Sequence, residues 1–494
     1  MTDSSKFPDP VYRETVLAPL FEGVKAHYAL GMDQINRAHL VMLHETGILD
    51  AQESSKIAAA LTDIARRTDI SGLTYTGEHE DYFFWVEAQI KLRLGDLGGA
   101  LHTARSRNDM DHTLFKMALR DRADTLMGQV VALADALIAK AEEEADTLIV
   151  AYTHGQPAQP STFGHYLGAV VETLLRDADR LEAAIAHLDH CPMGAAAITT
   201  SGFPINRERM AHLLGFEAPL INSYGCIASV DYITGLYSAI KLVFLHLGRV
   251  IQDMAFWSAF EVGQLYVPNA LVQISSIMPQ KRNPVPIEHM RHLASVTAGR
   301  CDMVVNTMHN TPFTDMNDSE GEVQQAGYAA FESGGRVLDL LAVFLPACSI
   351  NTDRVSKTTD AACITITELA DTLVRDDGMS FRAAHDVSSA TARAVIAKNR
   401  SLGDGFSDFA AAFRIVASRE STLTEQAFRA ATAPETFIAR RNRTGGPAPD
   451  ALADAIATYR RHATGLQKQR QARAARIAAA TTERNIAFAA LMET

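Results

Sequence analysis

The sequence predicts a mainly α protein, and three observations carry that prediction. Glycine (30) and proline (17) are few for 494 residues, while alanine, leucine and arginine recur throughout, so helix formers dominate helix breakers. Leu167, Val170, Leu174, Ala178, Leu181 and Ile185 recur every three or four positions. Ile233, Leu236, Ile240, Val243, Leu247 and Val250 do the same.

Taken in order, residues 25 to 100 alternate short helical patterns with turns and end at Asp96 to Gly99, which sets a first domain over 1–105. Residues 106–360 follow as a bundle of long helices. Within it, Tyr237, Phe244 and Ile251 add apolar positions on further faces of the 233–250 helix, as expected inside a bundle or at a subunit contact. A third domain over 361–494 holds the loop Gly445-Gly446-Pro447-Ala448-Pro449 and an Arg- and Ala-rich helix. The arginines at 460–461 and the run 468–476 read as a solvated helix face rather than an RNA-binding patch.

Hydrophobic residues make up 47% and charged residues 21%, as in globular proteins, and the formal charge of −12 argues against a general nucleic-acid surface. No apolar run is expected to span a membrane, and the start MTDSSKFPDP lacks the apolar stretch of a secretory signal, so a cytoplasmic location is expected. Five scattered cysteines without a CxxC pair suggest neither disulfides nor a zinc site. His289 with His292, and His187 with Asp189, His190 and Cys191, fall short of a full ligand set, and no metal site is expected.

Three segments between helices concentrate chemistry. In SSIMPQKRNP (275–284), Asn283 followed by Pro284 reads as an N-cap, which points the loop at a helix N-terminus where an anion is favoured. Lys281 adds charge, and Ser275 and Ser276 add hydroxyls. The same residues would also make a plain capped turn. HTARSRND (102–109) offers Ser106, Arg107 and Asn108 as a fork and donors for carboxylates. THGQPAQP (153–160) presents His154 with Thr153 and Gln156. Glu288, one turn into the helix after the first loop, would orient His154 if the two regions met.

These three segments, together with KLRLGDLGGALHTARSRND, CPMGAAAITTSGFPINRE, FRAAHD (381–386) and GGPAP (445–449), resemble the argininosuccinate lyase branch of the fumarase/aspartase superfamily over about residues 30–460. The resemblance implies a three-domain, mainly helical fold with a central long-helix bundle. It further implies a homotetramer with each active site shared between chains, and no metal or organic cofactor. It implies fumarate-releasing elimination through an aci-carboxylate carbanion. Ser275 takes the place of the family's base, and Lys281 and Asn283 the place of the carboxylate holders. Ser106, Arg107, Asn108 and Thr153 match dicarboxylate contacts, and His154 matches the family histidine with Glu288 as its partner. Gln156, Ser276 and Met278 complete the substrate-binding set. Ile274 stands where the family usually has the glycine before the serine pair.

The amine half of the substrate departs from argininosuccinate lyases. TPFTDMNDSEGEV (311–323) places Asp315, Glu320 and Val323 where the family pattern has Tyr, Gln and Lys. Phe83, Phe84 and Trp85 replace more polar residues, Pro157 an arginine and Met110 a glutamine. The loop SSIMPQKRNPVPIEH resembles that of ethylenediamine-N,N′-disuccinate (EDDS) lyase, so an aminopolycarboxylic acid is the expected substrate and argininosuccinate the alternative. Asp315, Asp318, Glu320 and Glu322 nevertheless suit a protonated amine better than a further carboxylate. A third reading is an inactive lyase scaffold with a structural role, against which stand the intact Ser275, Lys281 and His154.

Overall fold

The computed structural model describes residues 7–493; Met1 to Lys6 of the MTDSSKFPDP start, and Thr494, lie outside the described residues. Four helices open the chain: α1 (Ala18–His27), α2 (Ala29–Glu45), α3 (Ala51–Arg67) and α4 (Tyr82–Leu94). A capping box starts α3: the Asp50 carboxylate accepts the Glu53 N–H at 2.8 Å, and Glu53 accepts the Asp50 N–H at 3.0 Å. In α2 the buried His39 donates to the Thr103 carbonyl at 2.9 Å, and burial, aided by the Arg105 charge, lowers its pKa to about 3.

That histidine sets a pH dependence. Between its unfolded value near 6.5 and about 3, the unfolded chain binds a proton at His39 that the folded chain refuses. Stability is therefore held above pH 6.5 and lost as pH falls below it, by about 1.4 kcal/mol per pH unit from this residue. Urea midpoints measured from pH 7 to 5 should fall in the natural protein and flatten in a His39→Gln variant.

Five long helices form the central bundle: α5 (Arg107–Glu143), α6 (Phe163–Leu188), α7 (Asp231–Ser258), α8 (Val285–Thr307) and α9 (Gly321–Ala347). The helices alternate up and down and pack as a closed ring, α5 on α6, α6 on α7, α7 on α8, α8 on α9 and α9 on α5. A hairpin of β1 (Leu148–Thr153) and β2 (Gln156–Thr162) joins α5 to α6, and a shorter one, β3 (Gln273–Ile274) with β4 (Arg282–Asn283), precedes α8. Chain order thus places the starts of α5, α7 and α9 at one end of the bundle. Both hairpins and the start of α8 lie at the other.

The apolar periodicity of α7 has the expected outcome: Ile233, Leu236, Tyr237, Ile240, Val243 and Phe244 are all buried. By length and hydropathy alone the stretch Gly225–Ser258 does reach what a membrane span needs, contrary to the expectation from the sequence, with a mean hydropathy of 1.3. Most of its large apolar side chains lie inside the bundle, against α6 and α8, while Leu245 stays exposed.

Residues 361–494 divide between two cores. Helices α10 (Ile366–Asp376), α11 (Phe381–Ala397), α12 (Phe406–Ala417) and α13 (Glu425–Thr432) enclose a core of their own around Leu369, Leu373, Val387, Phe409, Phe413 and Phe428. The last helix, α14 (Pro449–Ala490), instead returns to the main core through Leu452, Ile456, Leu466 and Phe488 and lies against α5, α6 and α2. Arg460, Arg461 and Lys468 are exposed as expected, but the arginines of the 468–476 run do not form a solvated face. Arg470 and Arg473 pair with Asp124, Arg473 also with Glu182 at 2.6 Å, and Arg476 with Asp189. Interspersed alanines let the helix approach α5 and α6 closely, which brings the long guanidinium arms within reach of acids on both.

All five cysteines are buried and unpaired. Burial raises the pKa of each, to about 12 at Cys191, Cys301 and Cys348. A thiol reagent such as dithionitrobenzoate should leave the folded protein unmodified on a minutes scale and titrate five thiols in denaturant.

Candidate active site

At the first end of the bundle, Ser106 is the N-cap of α5. Its hydroxyl accepts the Asn108 N–H at 3.3 Å, and its own N–H donates to Asp109 at 3.0 Å, a capping box that fixes where Arg107 and Asn108 emerge. Asp109 is fully buried and accepts two more backbone N–H groups, from Gly194 and Ala196, each at 3.0 Å. Those donors come from a turn in which Ala196, Ala197 and Thr200 all hold positive φ (49°, 76° and 65°). Strain of this kind persists only where neighbours over-determine it, and here the Asp109 carboxylate does so.

Arg107 is not free: it pairs with Glu80 and Asp81, both at 2.8 Å, and approaches Asp111 at 4.0 Å. Asn108 donates from Nδ2 to Asp315 Oδ2 at 2.6 Å. Beside them lie Glu320 and the buried His112, whose Nδ1 is 3.2 Å from the Tyr232 hydroxyl. Burial, then the charge of Asp315 and the hydrogen bond shared with it, pushes Glu320 up to about 7. Burial pushes Asp315 the same way, but neighbouring His112 and Glu320 and the Arg107 charge outweigh it, so its pKa lies below the ordinary value. The pKa of Asp111 is raised well above its ordinary value by burial, then by the charge of Glu320. A cavity of about 240 Å³ opens from this acidic group between α1, α2 and α4, walled by Leu17, Leu20, Phe21, Tyr28 and Phe115.

At the opposite end, Thr153, His154, Gly155 and Gln156 form the tip of the β1–β2 hairpin. His154 and Gly155 both hold positive φ, 53° and 73°, which matches the right-handed twist of a two-residue hairpin and holds the imidazole out in solvent. The serine loop is likewise exposed. Ile274 pairs with Arg282, so residues 275–281 form a loop closed by β3 and β4. Arg282 anchors its base by donating to the Val267 carbonyl and to Asn269 Oδ1, each at 2.8 Å, and by lying over the Tyr266 ring. Ser275 Oγ accepts the N–H groups of Met278 at 3.1 Å and Ile277 at 3.4 Å. That is the capped turn, and the same two donors stabilise an alkoxide at Oγ. Lys281 and Ser276 are exposed, and Met278 partly so.

Asn283 is not the N-cap of α8. It pairs with Gln273 in the β ladder; the helix begins at Val285 after Pro284, which has ψ 58° and no side-chain cap. The ladder holds Asn283 extended, so the Asn-Pro signal marks the end of a strand one residue before the cap. Glu288 stands in the first turn of α8 as expected and is exposed. Among the described residues no hydrogen bond or ion pair joins His154 to Glu288, or any one of the three segments to another.

The distances behind this are those of the bundle. With 37 residues, α5 is about 55 Å long and separates Asn108 from the His154 hairpin. With 23 residues, α8 is about 35 Å long and separates the serine loop from Asp315, the partner of Asn108. One chain therefore brings together Ser106, Arg107 and Asn108 at one end, and places Ser275, Lys281, His154 and Glu288 at the other. Sequence reasoning missed Asp109, Asp111, His112 and Tyr232. His112 and Asp111 lie four residues after Asn108 and Arg107, so helical spacing alone puts them on the same face.

The chain matches a lyase family model over residues 25–299 and an argininosuccinate lyase C-terminal model over residues 363–439. It is 60% identical to argininosuccinate lyase 2 of Agrobacterium fabrum over 93% of this chain and 92% of that one. It is 34% identical to argininosuccinate lyase 1 of Shouchella clausii over 90% and 89%. Among solved structures it resembles EDDS lyase in complex with formate, with a TM-score of 0.85 and 26% identity over 98% of this chain and 96% of the other. The helical ring, the loops at its two ends and these likenesses agree: the chain belongs to the argininosuccinate lyase branch of the fumarase/aspartase superfamily and is a fumarate-releasing carbon–nitrogen lyase.

Proposed function

We propose that this lyase eliminates fumarate from an N-substituted aspartate whose amine half is cationic, with argininosuccinate as the favoured substrate. The observation that carries this is the acidic group of Asp111, Asp315 and Glu320, in which Asp315 accepts a 2.6 Å hydrogen bond from Asn108. Asp315, Glu320 and the partly buried Asp111 together favour a guanidinium over a second succinyl group. The aminopolycarboxylate preference drawn from the serine loop is thus the weaker of the two readings. The 60% identity to a protein named argininosuccinate lyase supports the same order. The likeness to EDDS lyase keeps the aminopolycarboxylate as the second reading.

In this reading Ser275, as an alkoxide, takes the Cβ proton. The electron pair moves into the adjacent carboxylate and then returns to form the C=C bond as the C–N bond breaks. The bonding pair leaves on the substrate's cationic guanidinium, which departs as a neutral guanidine, with fumarate as the other product. Lys281, Asn283 and the start of α8 meet the charge that gathers on the carboxylate. Ser106, Asn108 and Thr153 hold the dicarboxylate, Gln156, Ser276 and Met278 line its site, and Glu288 orients His154. Because these groups occupy opposite ends of the bundle, the working form is a homotetramer in which ends of different chains meet. The buried, unpaired cysteines fit a reducing, cytoplasmic setting.

The test is fumarate release, followed by ultraviolet absorbance, from argininosuccinate and from EDDS at equal concentrations. A kcat/KM at least about tenfold higher for argininosuccinate is expected, the size of one lost charge-assisted contact. Higher turnover of EDDS would overturn the assignment of a cationic amine half.

A further inference from the structure

We propose that His112, Asp315 and Glu320 form a site for a single divalent transition-metal ion, which takes the place of the substrate's cationic half and thereby inhibits the enzyme. A His112 ring nitrogen, an Asp315 oxygen and a Glu320 oxygen lie within 4.8 Å of one another. One imidazole and two carboxylates, with water in the remaining positions, suit a borderline ion such as Zn²⁺ or Co²⁺.

Two unmet polar atoms separate this group from an ordinary acidic cluster. His112 is completely buried, and its Nε2 has no hydrogen-bond partner. The atom it faces, Asp315 Oδ1, is 3.6 Å away, beyond hydrogen-bond reach, and is also buried without a partner. Buried polar atoms are rarely left so, and a cation between the two would satisfy both. A divalent ion between them would also neutralise the two neighbouring carboxylates of Asp315 and Glu320.

The outer contacts point each ligand inward. An Nδ1–H donated to the buried Tyr232 hydroxyl, 3.2 Å away, leaves Nε2 as the lone-pair nitrogen. Asn108 holds the other oxygen of Asp315. The nearest cation, Arg107, is already balanced by Glu80 and Asp81. The surface pair His289 and His292 lies near the start of α8, the far end of the bundle from this cluster, so a metal bound there is distinguishable by mutation.

The test uses the full-length enzyme, stripped with a chelator and titrated with Co²⁺, with equilibrium dialysis for stoichiometry and visible absorption for coordination. One Co²⁺ per chain with visible d–d bands is expected, and Glu320→Gln and His112→Gln should each weaken binding by about 10–100-fold. Glu320→Gln is isosteric and serves if the buried histidine variant does not fold. No binding at 100-fold excess metal, or binding unchanged in Glu320→Gln, would overturn the proposal.

The inhibition arm rests on the placement of the amine half given above; the binding arm does not. Saturating Co²⁺ should raise the apparent KM for argininosuccinate. Co²⁺ binding that Glu320→Gln abolishes, without any effect on turnover, would overturn the inhibition and that placement but not the metal site.

Discussion

Replacing Ser275 by alanine should lower kcat by about 10²–10⁴-fold, the ordinary contribution of a positioned general base, while leaving KM close to its natural value. Serine is a poor base, and the structure supplies the means to improve it: the N–H groups of Ile277 and Met278 converge on Oγ, and Lys281 stands six residues on in the same loop. The side chain is half-buried and closes only its own turn, so its removal should cost little stability. Stopped-flow fumarate absorbance on the variant, beside its thermal midpoint, separates a chemical from a structural loss. A folded variant that retains more than about a tenth of kcat would remove Ser275 from the role of base.

The second large effect is expected at Asp315. Its carboxylate is the hub of the first end: Asn108 donates to it, Glu320 lies beside it, and His112 faces it. Asp315→Asn keeps the shape and removes the charge, which weakens a charge-assisted contact to a guanidinium by about 1.5–3 kcal/mol, or roughly 10–150-fold in kcat/KM for argininosuccinate. Binding of fumarate alone should be unaffected, because the contact is to the amine half. EDDS, whose distal carboxylates face the same acids, should lose less or gain. Equal losses for both substrates, or weakened fumarate binding, would place Asp315 at the dicarboxylate instead.

Much of this was legible in the residues. The long helices followed from apolar spacing such as 167–185, because a buried stripe on a helix has no other period. The three loops stood out because hydroxyls, amides and cations crowd into stretches that otherwise carry no core. Signals that depend on partners distant in sequence were not legible. Asn283 read as an N-cap until its pairing with Gln273 was visible, and the arginines of α14 read as solvated until Asp124, Glu182 and Asp189 were seen beneath them. Asp315 and Glu320 read as acids suited to an amine, but their meeting with His112 escaped for the same reason. Asp315 and Glu320 are some 200 residues from His112, and only the alternation of helix directions brings them together.

Opposite placement of the two sets of residues leads to the most direct measurement. Ser275→Ala and Asn108→Ala chains should each be inactive alone. Mixed, dissociated and reassembled, they should recover activity approaching about a quarter of the natural level, since a site that draws Ser275 from one chain and Asn108 from another is intact in that share of random pairings. Recovery of fumarate release would establish a catalytic site built from the two ends of different bundles. If both variants are folded, inactive and reassembled, and the mixture stays inactive, the site is not shared in this way, and the account of how the chain brings its chemistry together is wrong.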